Sequence, residues 1–182
     1  MKRILGILGS PRRGGNSETL ARKVLDGAAE NGFATDIIRL QGLNLTGCTD
    51  CRRCWSGGSP CVIDDDMDKV YEKVREADLL VFASPLYWYS WSSQIKPVWD
   101  RFLPFHHAKA RWDLKDKKAL LVAAAGDDKP EAFEGMLFSF RTSCRLLGME
   151  MVKPLLAHGV HGMGEATKGN WLKLAEELGK SL

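Results

Sequence analysis

Four of the five cysteines fall in one short stretch, Cys48-x-x-Cys51-x-x-Cys54-x6-Cys61. Thiolates two residues apart can face a common point from a coiling loop, and a fourth a little later can close a tetrahedron around them. The Gly/Ser-rich run between Trp55 and Pro60 suits such wrapping. Ligation of a [4Fe–4S] cluster is the sharpest reading. Structural or redox-active thiols without metal are the second, and a closed four-thiolate zinc site, which a fold of this size does not need, is the third. Cys144 stands alone in a predicted helix and reads as a small buried apolar residue.

A second group lies near the amino end, where Gly9-Ser10-Pro11-Arg12-Arg13-Gly14-Gly15-Asn16-Ser17 follows an apolar run and precedes an amphipathic stretch. A phosphate needs unpaired donors and positive potential. This loop offers backbone N–H groups at a helix amino end, two hydroxyls, an amide and two guanidiniums. It lacks the Gly-Lys-Ser/Thr ending of a nucleoside triphosphatase loop and the Gly-x-Gly-x-x-Gly of dinucleotide folds. A plain strand-to-helix turn with Asn16 or Ser17 as N-cap is the simpler alternative, and a cap can border an anion site.

Other polar groups read blandly. Asp64, Asp65, Asp66 and Asp68 lack the Gly and distal Glu of a calcium loop and suit the cap and dipole of a helix starting near Met67. His106 and His107, beside Lys109 and Arg111, read as surface or interface residues. Trp91 and Trp99 suit a core or a subunit interface.

The elements that position these groups alternate. Apolar runs at Ile4–Leu8, Ala34–Leu40, Leu79–Ser84, Lys118–Ala125 and Met151–Leu156 predict five strands. Between and after them, Ser17–Asn31, Met67–Ala77, Gln94–Leu103, Pro130–Leu147 and Ala166–Leu178 predict helices, with Pro97 starting or bending the third. Strands apolar on both faces require helices on both sides, hence an α/β, doubly wound parallel sheet whose ligand sits beyond the carboxyl ends of the strands.

At 182 residues the chain fits one domain with a core that needs no staple. A formal charge of +3, with basic residues scattered among acids, argues against nucleic acid as a partner. The run Met1–Gly9 is too brief for a signal sequence, and no segment is long enough to span a bilayer, so a soluble cytoplasmic protein with reduced thiols is expected.

Taken together, Gly9-Ser10-Pro11-Arg12, Gly15-Asn16-Ser17, the four clustered cysteines, Asp65-Asp66-Met67, Ser84-Pro85-Leu86-Tyr87-Trp88, Gln94-Ile95-Lys96 and Asp100-Arg101 resemble the NADPH-dependent FMN reductase family and its relatives, the iron–sulfur flavoproteins. The resemblance implies a flavodoxin-like three-layer sandwich over residues 1–182, with a five-stranded parallel sheet in order 2-1-3-4-5, helices on both faces, and a Cys-rich loop insertion at about 44–64. It implies FMN, its phosphate held by Ser10, Arg12, Asn16 and Ser17, and its ring lined by Pro85, Leu86, Tyr87 and Trp88 with Gly126 at the other edge. The loop Gly126-Asp127-Asp128 departs from the family pattern. NADH or NADPH would supply hydride and a small acceptor, such as flavin, a quinone or a nitro compound, would take the electrons, with no catalytic acid or base required. The other implied role is an electron carrier between ferredoxin and an acceptor, with Cys48, Cys51, Cys54 and Cys61 holding a [4Fe–4S] cluster. A homodimer or homotetramer is implied as well.

Overall fold

The alternation expected from the sequence folds into a parallel sheet flanked by helices. The computed structural model describes residues 1–56, 60–106 and 113–182. The middle of the Gly/Ser-rich stretch, and His107, Lys109 and Arg111, lie outside the described residues. The strands are β1 (Arg3–Leu8), β2 (Ala34–Arg39), β3 (Leu79–Pro85), β4 (Lys118–Ala124), β5 (Glu150–Met151) and β6 (Leu155–Ala157). The helices are α1 (Asn16–Glu30), α2 (Met67–Glu76), α3 (Lys96–Asp100), α4 (Glu134–Leu147) and α5 (Trp171–Lys180). The sheet order is β2-β1-β3-β4-β5, every neighbour parallel, and β6 also pairs with β4. This is the flavodoxin-like order expected.

Successive residues of β3 face opposite layers, as strand geometry requires. Leu80 and Phe82 pack with Val70 and Tyr71 of α2 and Phe140 of α4, whereas Leu79, Val81 and Ala83 pack with Leu20 and Val24 of α1 and Ala175 of α5. Burying each such Leu, Val or Phe contributes about 1.5–3 kcal/mol. Trp91 and Trp99 belong to the first of these cores, and Cys144 is buried there at 1% exposure. The apolar surroundings push its thiol up to about 12.

Three elements differ from their sequence expectations. The fifth strand is two pieces: from Ala119↔Met151 to Val122↔Leu155 the edge strand advances four residues while β4 advances three. The extra residue is a bulge around Val152-Lys153-Pro154, where Pro154 has no N–H to give the ladder. The third helix shrinks to Lys96–Asp100, with Pro97 in its first turn, and a separate 3-10 turn covers Leu103–His106. The last helix begins at Trp171 because Gly169 is left-handed, with φ of 79°, and a 3-10 turn at Glu165–Thr167 takes the place of its expected start.

Candidate functional site

Beyond the carboxyl ends of β1, β3 and β4 lies a cleft lined by Ser10, Arg12, Gly15, Asn16 and Ser17 on one side and by Pro85, Leu86, Tyr87 and Gly126 on the other. Side-chain hydroxyls stitch the strand ends together: Ser92 donates to the Gly9 carbonyl at 2.6 Å, and the Ser92 N–H donates to Ser84 Oγ at 3.1 Å. The Leu86 N–H reaches the Ala124 carbonyl at 2.8 Å, extending the β3–β4 pairing to the lip of the cleft.

The first loop is shaped as an anion cradle. Ser10 Oγ donates to the Arg12 carbonyl at 3.0 Å and accepts the Arg12 N–H at 3.1 Å, closing the turn. A Cβ on Gly15 would stand 2.7 Å from Ser10 Oγ, so no side chain fits there. Gly15, not Asn16 or Ser17, is the N-cap of α1, and it makes no side-chain cap bond. The reason is that Asn16 is drawn elsewhere: its Nδ2 donates to the carbonyls of Val160 (3.3 Å) and Gly162 (2.9 Å), and its Oδ1 accepts the Ala166 N–H at 3.2 Å. Its side chain therefore ties the loop after β6 to the cradle, leaving to the cleft the N–H groups of the first helical turn, which have no intrahelical acceptor. Ser17 is 2% exposed and its hydroxyl has no hydrogen-bond partner. A buried, unsatisfied hydroxyl at a helix amino end is the donor an oxyanion would complete.

Tyr87 and Ser90 exchange two backbone hydrogen bonds of 3.0 Å, forming a tight two-residue turn whose tip residues, Trp88 and Tyr89, have φ of 49° and 60°. Positive φ at bulky side chains is uncommon and costs energy. Tyr87 lines the cleft, but Trp88 does not; it is 95% exposed at the tip. The cleft also contains Ala124, Val160, His161 and Met163, which sequence reasoning missed. Their signal was position: residues 160–163 follow the carboxyl end of the edge strand. His161 sits against Gly126, where a Cβ would meet its Nδ1 at 3.0 Å, and stands 3.5 Å from Asp128.

Cys48, Cys51, Cys54 and Cys61 line a second cavity together with Tyr71 and Arg101. Left-handed residues at Asp50 and Arg52 let the loop coil tightly enough to bring them there. The Asp50 N–H points at Cys48 Sγ, 3.4 Å away. Hydrogen bonds from the Arg53 backbone and side chain hold the Cys51 thiol below its ordinary value, whereas burial and the neighbouring Cys61 push Cys54 up. Among the described residues no three or more His, Cys, Asp or Glu side chains converge as ligands of a single metal ion. The cavity is open to solvent on the side of Cys48 and Cys51. The four thiols supply the donor set of a thiolate-ligated cluster, and two of them, Cys48 and Cys51, are exposed.

The acidic run near Met67 serves this loop more than the helix dipole. Asp66 is the N-cap residue of α2 without a side-chain cap bond; its carboxylate accepts from the Asn44 N–H at 2.8 Å and Lys69 Nζ at 2.6 Å. Asp65 accepts the Met67 N–H at 3.0 Å and the Thr46 N–H at 2.8 Å, and pairs with Arg101 at 2.6 Å, both side chains 1% exposed. Burial works to raise the Asp65 carboxyl, but the guanidinium overrides it and holds the group below its ordinary range.

Comparison with known proteins shows the family and the fold. The chain is 36% identical over 124 residues to an iron-sulfur flavoprotein of Methanosarcina thermophila, covering 68% of this chain and 63% of that protein. It is 35% identical over 136 residues to one from Archaeoglobus fulgidus, covering 74% and 60%. It therefore spans about three-fifths of the length of these two relatives. An iron-sulfur flavoprotein of Methanocaldococcus jannaschii is 30% identical over 187 residues, with 99% and 95% covered. In fold, the chain resembles an NAD(P)H:quinone oxidoreductase from Methanothermobacter marburgensis, with a TM-score of 0.74 at 19% identity and 98% of both chains covered. No helix among the described residues is long and apolar enough to cross a membrane. The model of the NADPH-dependent FMN reductase family matches residues 2–157, spanning both the cradle and the cysteine loop, and the chain belongs to that family.

Proposed function

We propose that the protein is an FMN-dependent NAD(P)H oxidoreductase that passes electrons from a nicotinamide through FMN to a small acceptor such as flavin, a quinone or a nitro compound. The observation that carries this reading is the unpartnered, buried hydroxyl of Ser17 in a glycine-lined cradle at the amino end of α1. Ser10, Arg12 and Ser17 would hold the phosphate by side chain and Asn16 by its backbone, with Pro85, Leu86, Tyr87 and Gly126 against the ring. Trp88, expected at the ring from the sequence, stands outside the cleft at the exposed tip of the neighbouring turn. Bound FMN supplies hydride acceptance and release of one or two electrons. The chain's part is to bind the phosphate, orient the ring and exclude water. The large exposed surfaces of Trp88 and Tyr89 support a homodimer or homotetramer in which a second copy covers the cleft.

A second reading, an iron–sulfur flavoprotein carrier that receives electrons from ferredoxin, is favoured by one observation: all four clustered cysteines line one cavity. Protein purified without oxygen separates the two. Released FMN with rapid NAD(P)H oxidation and no iron supports the reductase. FMN with iron and acid-labile sulfide, and slow NAD(P)H oxidation, supports the carrier. Failure to bind FMN even after reconstitution would remove both.

A further inference from the structure

Arg101 follows α3 directly and is 1% exposed, a full guanidinium sealed within the protein. Burial of a charge is costly unless it is paired and hydrogen-bonded. Its Nη1 donates to both Asp65 oxygens, at 2.8 and 2.6 Å, and to the Thr46 carbonyl at 3.2 Å, while Nη2 donates to the Ile63 carbonyl at 3.4 Å. Thr46 precedes the first clustered cysteine, and Ile63 and Asp65 follow the last. One side chain therefore clamps both ends of the loop. Tyr71 secures the clamp from below by donating its hydroxyl to the Arg101 carbonyl at 2.6 Å.

These bonds leave part of the guanidinium for the thiols. Its Nε is buried without a partner, Arg101 lines the cysteine cavity, and Cys61 is within its hydrogen-bonding reach. Asp65 does not line that cavity. The pair is thus oriented, positive end toward the four cysteines and negative end away. Two other guanidiniums reach the thiols from the solvent side, Arg52, half-exposed and paired with Asp50, and exposed Arg53, which hydrogen-bonds Cys51, and solvent screens both.

The geometry points to Arg101 as the positioning and potential-setting residue of a thiolate-ligated iron–sulfur centre in this loop, an inference that rests on the cluster reading above. Reduction adds negative charge, and a fixed positive end in a poorly solvated site stabilises the more negative state. Hydrogen bonds to the sulfurs act in the same direction on the potential. Arg101 therefore raises the midpoint potential of the centre.

The test uses the full chain with FMN, reconstituted without oxygen with ferrous iron and sulfide, as wild type, Arg101→Lys and Arg101→Met. Iron, sulfide and flavin are assayed, and midpoint potentials are read by redox titration. The expected result is a lower potential in Arg101→Met at unchanged flavin content, with Arg101→Lys close to wild type. Loss of iron in Arg101→Met alone supports the same assignment. A loaded Arg101→Met at the wild-type potential overturns it. So does an Arg101→Lys displaced as far as Arg101→Met, or iron lost from both, because the clamp alone would then be acting. If Arg101→Met does not fold, Asp65→Asn/Arg101→Met removes both charges and is held to the same expected fall in potential. A wild type that takes up no iron removes the cluster reading and this inference with it, whereas a loaded wild type with unmoved variants removes only the role of Arg101.

Discussion

Arg39, the last residue of β2, donates to the carbonyls of Ser10 and Pro11 at 3.4 and 3.3 Å while its Nε stands 3.7 Å from Oε2 of Glu18. Glu18 is 3% exposed in the first turn of α1; Arg22 at 2.9 Å satisfies its Oε1, whereas Oε2 has the 3.7 Å ion pair and no hydrogen bond. The strand end thus braces the anion cradle from behind through a charge-assisted contact. Arg39→Met is expected to lower unfolding stability by about 1–3 kcal/mol and to loosen FMN retention, read from urea midpoints and from flavin released on dilution.

Ser17 gives a prediction with opposite signs in the two states. Its hydroxyl is buried and unpartnered, so Ser17→Ala leaves the flavin-free protein as stable as wild type or slightly more so. The same change weakens FMN binding by about 1.5–3 kcal/mol. Thermal melts with and without FMN check both halves, and Arg12→Ala, from the exposed side of the cradle, is expected to match only the second.

The Asp65–Arg101 pair makes stability depend on pH. Because the folded carboxyl is held low, it stabilises the fold above its unfolded value, about 3.9. That contribution is lost as pH falls through the lower folded value. Asp65→Asn is expected to cost about 3–5 kcal/mol at neutral pH by leaving Arg101 unpaired. Urea midpoints from pH 7 to 3 are expected to fall less steeply in the variant.

The helices α1 and α5 touch through glycine. A Cβ on Gly179 would lie 2.1 Å from the Val24 carbonyl, and one on Gly27 would lie 2.4 Å from that of Glu176. Gly179→Val must push the helices apart, with an expected loss of about 1–3 kcal/mol in chemical denaturation and little change in cysteine accessibility on the far face.

Cys51→Ala is expected to abolish iron uptake while leaving FMN bound, since the cradle and the thiol cavity share no lining residue. Iron and flavin assayed on one reconstituted sample decide this.

Local information was sufficient for much of this protein. The apolar runs that became β1, β3 and β4, the cradle from Gly9 to Ser17 and the close-set cysteines are properties of neighbouring residues, so periodicity and spacing displayed them. The bulge that splits the edge strand was not legible, because it depends on register against β4 and on where Pro154 meets that ladder. Nor was the diversion of the Asn16 amide to residues 160–166, the outward display of Trp88, or the clasp of Arg101 on an acid 36 positions away. Each joins groups distant in sequence, and which buried polar atom finds a partner is settled only when the layers pack. The chain alone thus determined where a glycine-rich polar loop and a group of thiols would stand, and the tertiary structure decided which charges face them.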